Sequence, residues 1–396
     1  MLTLKAARVL LVKEIEPLPA RCVPVPEARG DRLAESPRAA LDWPEADVSV
    51  MDGYAARAVD LAAHEPLPVA FEVPTGQVPE PLPAGAIARI FTGACLPAGA
   101  DAVVPQEEAR MESDGRIRLP VVEAGRFVRH HGEVVRRGDV LAEAGEVLTP
   151  QLVGLLIATG PREVRVTPRP RIGILTTGSE LRAPDEPLRP GSIYDSNGPM
   201  LRALAAEALL EADHGRRVTD DLQATRQAIK ELTTQVDLLV TSGGVSVGDY
   251  DLVPQALQDL GAELLFHRVT VKPGKPILVA RLHNCMVVGL PGNPASAFVG
   301  WRLFARPIAE RLAGDSRAFD FAGSTATLLT PAVNRGDRTL LAPSRLSRTD
   351  VGMSISVLPW KGSHDLIAMA RANALAIMDP GLEKKAGEMI EYIPAG

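Results

Sequence analysis

The sequence predicts an α/β-plus-β multidomain protein. Its centre is a doubly wound, mainly parallel sheet, joined by a β-rich excursion module, a helical linker domain and a small C-terminal β-barrel-like domain. Three observations predict this. From Arg171 onward, short apolar runs alternate with segments of helical period, the pattern of a doubly wound sheet. Residues 50–140 are dense in proline and glycine, and no helical period lasts there. After residue 320 the helical period disappears again. The expected divisions are 1–45 with 140–169 (linker), 46–139 (β-rich module), 170–316 (α/β domain) and 317–396 (C-terminal domain).

Each element has a local reason. "LKAARVLLVKE" is an amphipathic helix capped by Thr3 and stopped before Pro17. Lys13, Glu14 and Glu16 follow too soon for a signal peptide. "TPQLVGLLIATG" is a second helix, expected to pack on the first and make the β module an excursion. "RIGILTT", "GRRVTDD", "DLLV", "ELLFHRVTV" and the pair in "PILVARLHNCMVVGL" are strands. Between them run the helices "SNGPMLRALAAEALLEAD", with Ser196 or Asn197 as cap, and "LQATRQAIKEL". A third helix follows Asp251, with Pro254 in its first turn and Gly261 after its last. "NPASAFVGWRLFARPIAERL" is one closing helix, and "STATLLTPAV", "DRTLLAPSRLS", "GMSISVLPW" and "GEMIEYIP" are C-terminal strands.

Composition excludes several function classes. A net charge of −6 leaves no basic footprint for nucleic acid, and no nucleic-acid module signature occurs. Cys22, Cys95 and Cys285 lie far apart without metal spacing and read as reduced thiols. The histidines form no ligand pattern, and His130–His131 reads as structural. The longest apolar stretch, 151–160, is far below spanning length. A soluble, cytoplasmic protein is expected, with no membrane contact.

On a doubly wound sheet, ligands bind beyond the carboxyl ends of the strands. That edge collects "TTGSEL" (176–181), "TDD" (219–221), "SGGVSVGDYD" (242–251) and "GLPGNP" (289–294). Gly243, Gly244 and Gly248 let backbone N–H groups converge on an anion. Carboxylates beside such a nest require a cation between them and the anion, which points to a metal-bridged phosphate. The candidates are Glu180, Asp220 or Asp221, and Asp251. Helix capping accounts equally for Asp220, Asp221 and Asp251, and within the pair Asp220 is favoured for function. "KPGKP" (272–276) is no P-loop, since proline follows its Gly-Lys, and no G-x-G-x-x-G follows a strand. Arg268, Lys272 and Lys275 form the local cluster of positive charge near the edge, and a solvated basic turn explains them equally well. Asp52 and Thr92 read locally as a turn acid and a turn hydroxyl.

The motifs "VMDGYA" (50–55), "IFTGACLPAGADAVVPQE" (90–107), "TTGSEL", "YDSN" (194–197), "SGGVSVGDYD", "KPGKP" and "GLPGNPASA" (289–297) occur in this order. With them the chain resembles the molybdopterin molybdenumtransferases, the MoeA type that also forms the E domains of gephyrin and plant Cnx proteins. The resemblance runs over essentially the full length and is loosest in the C-terminal domain. Val134 in "GEVVRRG" departs from it, and no role is assigned to that turn.

The resemblance implies insertion of molybdate-derived molybdenum into adenylated molybdopterin, with release of AMP and a divalent cation, usually Mg²⁺. It implies a homodimer whose active cleft is shared, with Asp52 and Thr92 reaching in from the partner subunit. Glu180, Asp220 and Asp251 become metal and catalytic residues. Ser242, Gly243, Gly244, Ser246 and Gly248 become substrate-binding, with Asp195 and Asn197 of "YDSN". Pro291, Asn293 and Pro294 wall the pterin pocket. The oxyanion is expected at Arg268, Lys272 and Lys275, with Ser363 and Arg345 from the C-terminal domain. Molybdopterin adenylyltransferase and molybdoenzyme maturation proteins are the implied partners. Two rivals stand beside this reading: a molybdopterin adenylyltransferase, which is essentially the α/β domain alone, and an interaction scaffold of the gephyrin E-domain type.

Overall fold

Apolar residues of adjacent sequence positions fall into different cores, and that alternation organises the molecule. The computed structural model describes residues 1–246, 251–320, 324–350 and 352–395. The chain divides into two compact units, one of Met1–Arg21, Gly30–Arg32 and Thr167–Gly396, the other of Cys22–Arg29 and Leu33–Val166.

In the first unit, helix α1 (Leu4–Glu14) is capped as expected, Thr3 Oγ1 accepting from the Ala6 N–H at 3.1 Å. Its apolar stripe, Leu4, Ala7 and Leu11, is buried in the core of the α/β domain. The expected placing of this helix in a linker domain with residues 140–169 is therefore corrected. Its i, i+3, i+7 spacing covers one face of the sheet that follows.

The second unit carries a four-stranded sheet of β1 (Gly53–Ala56), β2 (Val69–Val73), β3 (Ile87–Ile90) and β4 (Ala102–Pro105), in the order β2-β3-β1-β4. Ala56, Ile87 and Val104 face one core, while Ala55, Ala88 and Val103 face another, so both faces are covered. Gly53 is obligatory, since a Cβ there would lie 2.0 Å from the Val104 carbonyl oxygen. Asp47 and Asp42 hold His130 and His131 at 3.2 Å each, the structural role expected for that pair. Helix α2 (Pro150–Ala158) is capped by Thr149, and its Leu156 joins Val25, Leu33 and Val164 in a core of this unit.

Within the α/β domain come β5 (Ile172–Thr177), β6 (Leu181–Arg182), β7 (Ile193–Tyr194) and α3 (Asn197–Glu207). Strand β8 (His214–Val218), α4 (Leu222–Leu232), β9 (Leu238–Ser242) and α5 (Leu252–Asp259) follow. Next are β10 (Glu263–His267), β11 (Val271–Lys272), β12 (Leu278–Leu282) and β13 (Cys285–Leu290). The six-stranded sheet has the order β8-β5-β9-β13-β12-β10. The first four are parallel, and β12 and β10 run antiparallel to their neighbours. Period two divides the strands: Ile174, Val240 and Val288 face the core that takes α1, while Leu175, Leu239 and Val287 face α4 and α5.

The single closing helix is corrected to three segments. Helix α6 (Pro294–Gly300) widens into a π-turn over Trp301–Ala305 before α7 (Arg306–Leu312). Pro307 has no N–H for the regular ladder, and the Arg306 N–H bonds the Trp301 carbonyl instead.

The C-terminal sheet contains β14 (Thr325–Leu328), β15 (Thr339–Thr349), β16 (Gly352–Val357), β17 (Ala374–Met378) and β18 (Met389–Pro394), with helix α8 (Leu366–Arg371) before β17. Its order is β11-β15-β16-β14-β18-β17, and β15 also pairs β17, which closes the five C-terminal strands into a barrel. Strand β11 leaves the α/β domain to join this sheet, Lys272 standing opposite Leu340.

Candidate active site

Strands β5, β9 and β13 end at one edge, and the loops leaving them are tied by buried polar groups. Asn197, 8% exposed at the start of α3, donates from Nδ2 to Ser242 Oγ at 2.8 Å and to the Gly292 carbonyl at 2.7 Å. One amide thus clamps the loops after β9 and β13. Its Oδ1 is buried without a partner among the described residues. Ser196 stands at the N-cap position of α3, as expected, but without a side-chain capping bond; Asp195 supplies that bond, its Oδ1 accepting from the Gly198 N–H at 2.9 Å. The other oxygen of Asp195 accepts from Thr176 Oγ1 at 2.8 Å. Asn197 is not free to cap because its amide is turned into the loop clamp.

The turn after β9 has the left-handed geometry that the glycines predict, with φ of +96° at Gly243 and +62° at Gly244. A Cβ on Gly243 would come within 2.4 Å of the Thr177 carbonyl oxygen. Among the described residues, the N–H groups of Gly244, Val245 and Ser246 have no acceptor. Thr177 Oγ1, packed under this turn, is likewise buried without a partner. A buried hydroxyl without a partner costs about 1–3 kcal/mol unless a ligand or water satisfies it, so Thr177 Oγ1 beside the open N–H groups of this turn marks a polar ligand site. Gly248 lies outside the described residues.

The carboxylates have separate local roles. Asp221 caps α4, its Oδ1 accepting from the Ala224 N–H at 2.7 Å. Asp220 instead exchanges bonds with the loop after β5: its Oδ2 accepts from the Ser179 N–H at 2.9 Å and its own N–H donates to Ser179 Oγ at 3.0 Å. Glu180 is exposed, and a Cβ on Gly178 would lie 2.7 Å from its Oε2. Asp251 stands at the N-cap position of α5 without a capping bond to it. Among the described residues, no three His, Cys, Asp or Glu side chains converge as a metal cage, so Glu180, Asp220 and Asp251 do not form one by themselves. The oxygen-only donor set nevertheless suits Mg²⁺, which takes one or two carboxylates and completes its shell with water and phosphate oxygens.

Lys272 and Lys275 are both exposed on either side of Pro273 and Gly274, whose φ is +111°. Arg268 is half-buried, and its N–H bonds the Ile277 carbonyl at 2.8 Å. The Ser363 carbonyl accepts from the Ala295 N–H at 3.2 Å, which seats that loop of the C-terminal domain on the first turn of α6, beside Pro291, Asn293 and Pro294. Arg345 follows on β15 and donates to the Arg371 carbonyl at 3.1 Å.

In the second unit, Asp52 and Thr92, forty positions apart, meet at the surface. Asp52 Oδ1 accepts from the Thr92 N–H at 2.7 Å and from Thr92 Oγ1 at 2.9 Å. These bonds, with the charge of Arg89, hold the Asp52 carboxyl below its ordinary range. Arg89 lies over the Tyr54 and Phe91 rings at 5.1 and 5.4 Å, and it was not singled out in the sequence. Thr176, Thr177 and Ser179 were also passed over as separate groups. Their signal was three hydroxyls in four positions where an apolar strand ends.

Comparison with known proteins covers nearly the whole chain. Residues 2–160 match the MoeA N-terminal region (domain I and II), 173–311 a probable molybdopterin binding domain, and 325–395 the MoeA C-terminal region (domain IV). The chain is 32% identical over 391 residues to the molybdopterin molybdenumtransferase of Staphylococcus aureus (strain COL), covering 97% of this chain and 93% of that protein. It is 35% identical over 389 residues to molybdopterin molybdenumtransferase 2 of Mycobacterium tuberculosis, covering 93% of each. Among solved structures, it is similar to the crystal structure of a molybdopterin biosynthesis MoeA protein from Pyrococcus horikoshii, with a TM-score of 0.81 and 27% identity over 100% of this chain and 99% of that one.

Proposed function

The chain belongs to the MoeA family of molybdopterin molybdenumtransferases, and on that premise we propose that it inserts molybdate-derived molybdenum into adenylated molybdopterin and releases AMP. The reaction belongs to molybdenum cofactor biosynthesis. The observation that carries the reading is the end-to-end match to named molybdenumtransferases, with every family region present in order. The site supports it. The N–H groups of residues 244–246 and the Thr177 hydroxyl, which have no partner among the described residues, suit the oxygens of a pyrophosphate link. Mg²⁺, held by Asp220 or Asp251 and Glu180, would supply neutralisation of the charge on that link.

The same reading assigns the oxyanion to Lys272 and Lys275, with Arg268, Arg345 and Ser363 as further donors. It assigns Asp52 and Thr92 to the cleft of a partner subunit in a homodimer. The cytoplasm is the assigned compartment, and a molybdopterin adenylyltransferase the supplier of substrate. Among the described residues no helix is long and apolar enough to cross a membrane.

The test is AMP release from adenylated molybdopterin with Mg²⁺, with and without molybdate. Molybdate-dependent release is expected, and release indifferent to molybdate overturns the reading. Lys272→Ala and Lys275→Ala should weaken molybdate roughly ten- to hundredfold, as for loss of a charged hydrogen bond. Excess molybdate should restore part of their rate, but none of the rate lost in Asp251→Asn. Superimposable molybdate titrations for the wild type and both lysine variants would place the oxyanion elsewhere.

A further inference from the structure

Arg89 holds a charge beside the Asp52–Thr92 pair that the proposed reaction leaves without a task. It stands opposite Tyr54 across β1 and β3, at the end of the sheet where Asp52 and Thr92 meet. Its side chain is half-buried and lies over the Tyr54 and Phe91 rings. Among the described residues its guanidinium bonds only through Nη2, to Gln106 Oε1. A guanidinium stacked in this way is already oriented, and the rest of its fork of donors is open to a ligand.

The frame around it closes on itself. The Gln106 N–H bonds the Asp52 carbonyl at 3.0 Å, while the Gln106 side chain takes Arg89. Asp52 receives both Thr92 bonds through Oδ1, and among the described residues its Oδ2 accepts none. The Thr92 carbonyl is fixed in turn by Thr75 Oγ1 at 3.3 Å. Arg89 is near enough for its charge to favour the ionised Asp52 carboxyl. Among the described residues the two nevertheless form no ion pair, because the rings and Gln106 hold the guanidinium aside. An anionic acceptor and a cationic donor thus stand side by side, neither spent on the other.

Such a pair matches N–H donors next to a carbonyl on the edge of a flat ring. In adenylated molybdopterin the phosphates and sulfurs offer a carboxylate no donor. The edge of the pterin offers an amino group and a ring N–H, followed by a ring carbonyl. A guanidinium fork pairs with a carbonyl and its neighbouring ring nitrogen, as it does on guanine, whereas adenine is matched by amides.

We propose that Asp52 and Arg89 read the edge of the pterin ring, Asp52 accepting from its amino group and Arg89 donating to its carbonyl. The proposal rests on the reading that Asp52 and Thr92 serve the molybdopterin cleft, and it adds what is recognised there. Arg89 is then a specificity-determining residue of that cleft.

Equilibrium binding of hydroxymethylpterin to the full-length protein, followed calorimetrically, tests it. The comparison ligand is the corresponding lumazine, in which a second carbonyl replaces the amino group. The wild type should prefer the pterin by roughly tenfold or more, since that carbonyl would meet the Asp52 carboxylate with no proton between them. Asp52→Asn keeps an oxygen for Thr92 and offers an amide N–H in place of Oδ2, so the preference should vanish or reverse. Arg89→Ala should weaken both ligands on the order of tenfold and leave their ratio unchanged, because both keep the carbonyl it meets. Arg89→Lys restores the charge and should recover part of that loss. A merely structural role would weaken both ligands equally in Asp52→Asn, which overturns the proposal. A wild type that binds the two alike, or binds neither, overturns it as well. AMP binding should be the same in the wild type, Asp52→Asn and Arg89→Ala, and its loss in either variant would make this a nucleotide contact instead. Molybdate-dependent AMP release by the same wild-type preparation would still uphold the function, so the two readings fail separately.

Discussion

Ser179 and Asp220 bond each other twice, each backbone N–H donating to the other's side-chain oxygen, at 2.9 and 3.0 Å. The clasp fixes the loop after β5 against the loop after β8 and holds one carboxylate at the strand-end edge. Asp221, one position on, caps α4 and takes no part in it.

That division predicts opposite phenotypes for adjacent aspartates. Asp221→Ala should cost about 1 kcal/mol of stability, as for a lost cap, and leave the rate of AMP release intact. Asp220→Asn keeps an acceptor for Ser179 but removes the charge. A fall of about 10² in rate with little change in melting temperature is expected for a charge stabiliser. Wild-type turnover in Asp220→Asn would reduce Asp220 to a loop clasp.

Asp52 should titrate below its ordinary range because the Thr92 N–H, then the Thr92 hydroxyl, bond its ionised form. A depressed folded value means that this contact contributes fully above the unfolded pKa of about 3.9 and is lost as pH falls through the folded one. Thr92→Val removes the hydroxyl but keeps the N–H, so the Asp52 pKa should rise only part of the way. Carboxyl-carbon NMR titration reads this directly, and an unmoved Asp52 would show that the hydroxyl bond does not form in solution.

Asn197→Ala removes the donor that clamps two loops and leaves the buried Ser242 Oγ with only its longer bond to the Pro291 carbonyl, at 3.4 Å. A loss of roughly 1–3 kcal/mol is expected in denaturant unfolding, with weaker substrate binding. Gly243→Ala should do more, since it meets a positive φ and the Thr177 carbonyl together. Ordinary stability in that variant would mean that the turn has rearranged.

Burial pushes the Cys285 thiol up to about 12, whereas Cys22 is exposed. At pH 8 a thiol reagent should modify Cys22 promptly and Cys285 only after unfolding. The sign for stability follows: unfolding frees the Cys285 proton, so stability is lost as pH rises from about 8.5 toward 12. Equal labelling of both cysteines in native protein would contradict the burial.

Much of the α/β domain could be read from period and punctuation, because "RIGILTT" and "DLLV" are short apolar runs bounded by turn residues; the first ends where its strand does, and the second falls two residues short. The sharp turn after β9 was legible for the same reason, as the glycines at 243 and 244 take the left-handed φ of +96° and +62° that it requires. The side-chain bond that starts α3 was not legible, since Ser196, Asn197 and Asp195 can all supply one, and only the third dimension shows Asn197 reaching Ser242 and Gly292 instead. Nor was the partnership of α1, whose stripe could cover any apolar face.

Strand β11 is short, but it lies in the sheet of the C-terminal domain with the Thr339 N–H on the Thr270 carbonyl at 3.0 Å. Leu341, Leu375 and Ile393 of that domain are buried in the same core as Ile174 and Val288. Residues on both sides of position 320 should therefore melt as one cooperative body, and a boundary drawn there for expression would cut through a core. A fragment ending near residue 316 would keep the glycine turn but lose the strand partner that steadies Lys272. Calorimetry on the intact chain should accordingly resolve no separate transition for the C-terminal barrel.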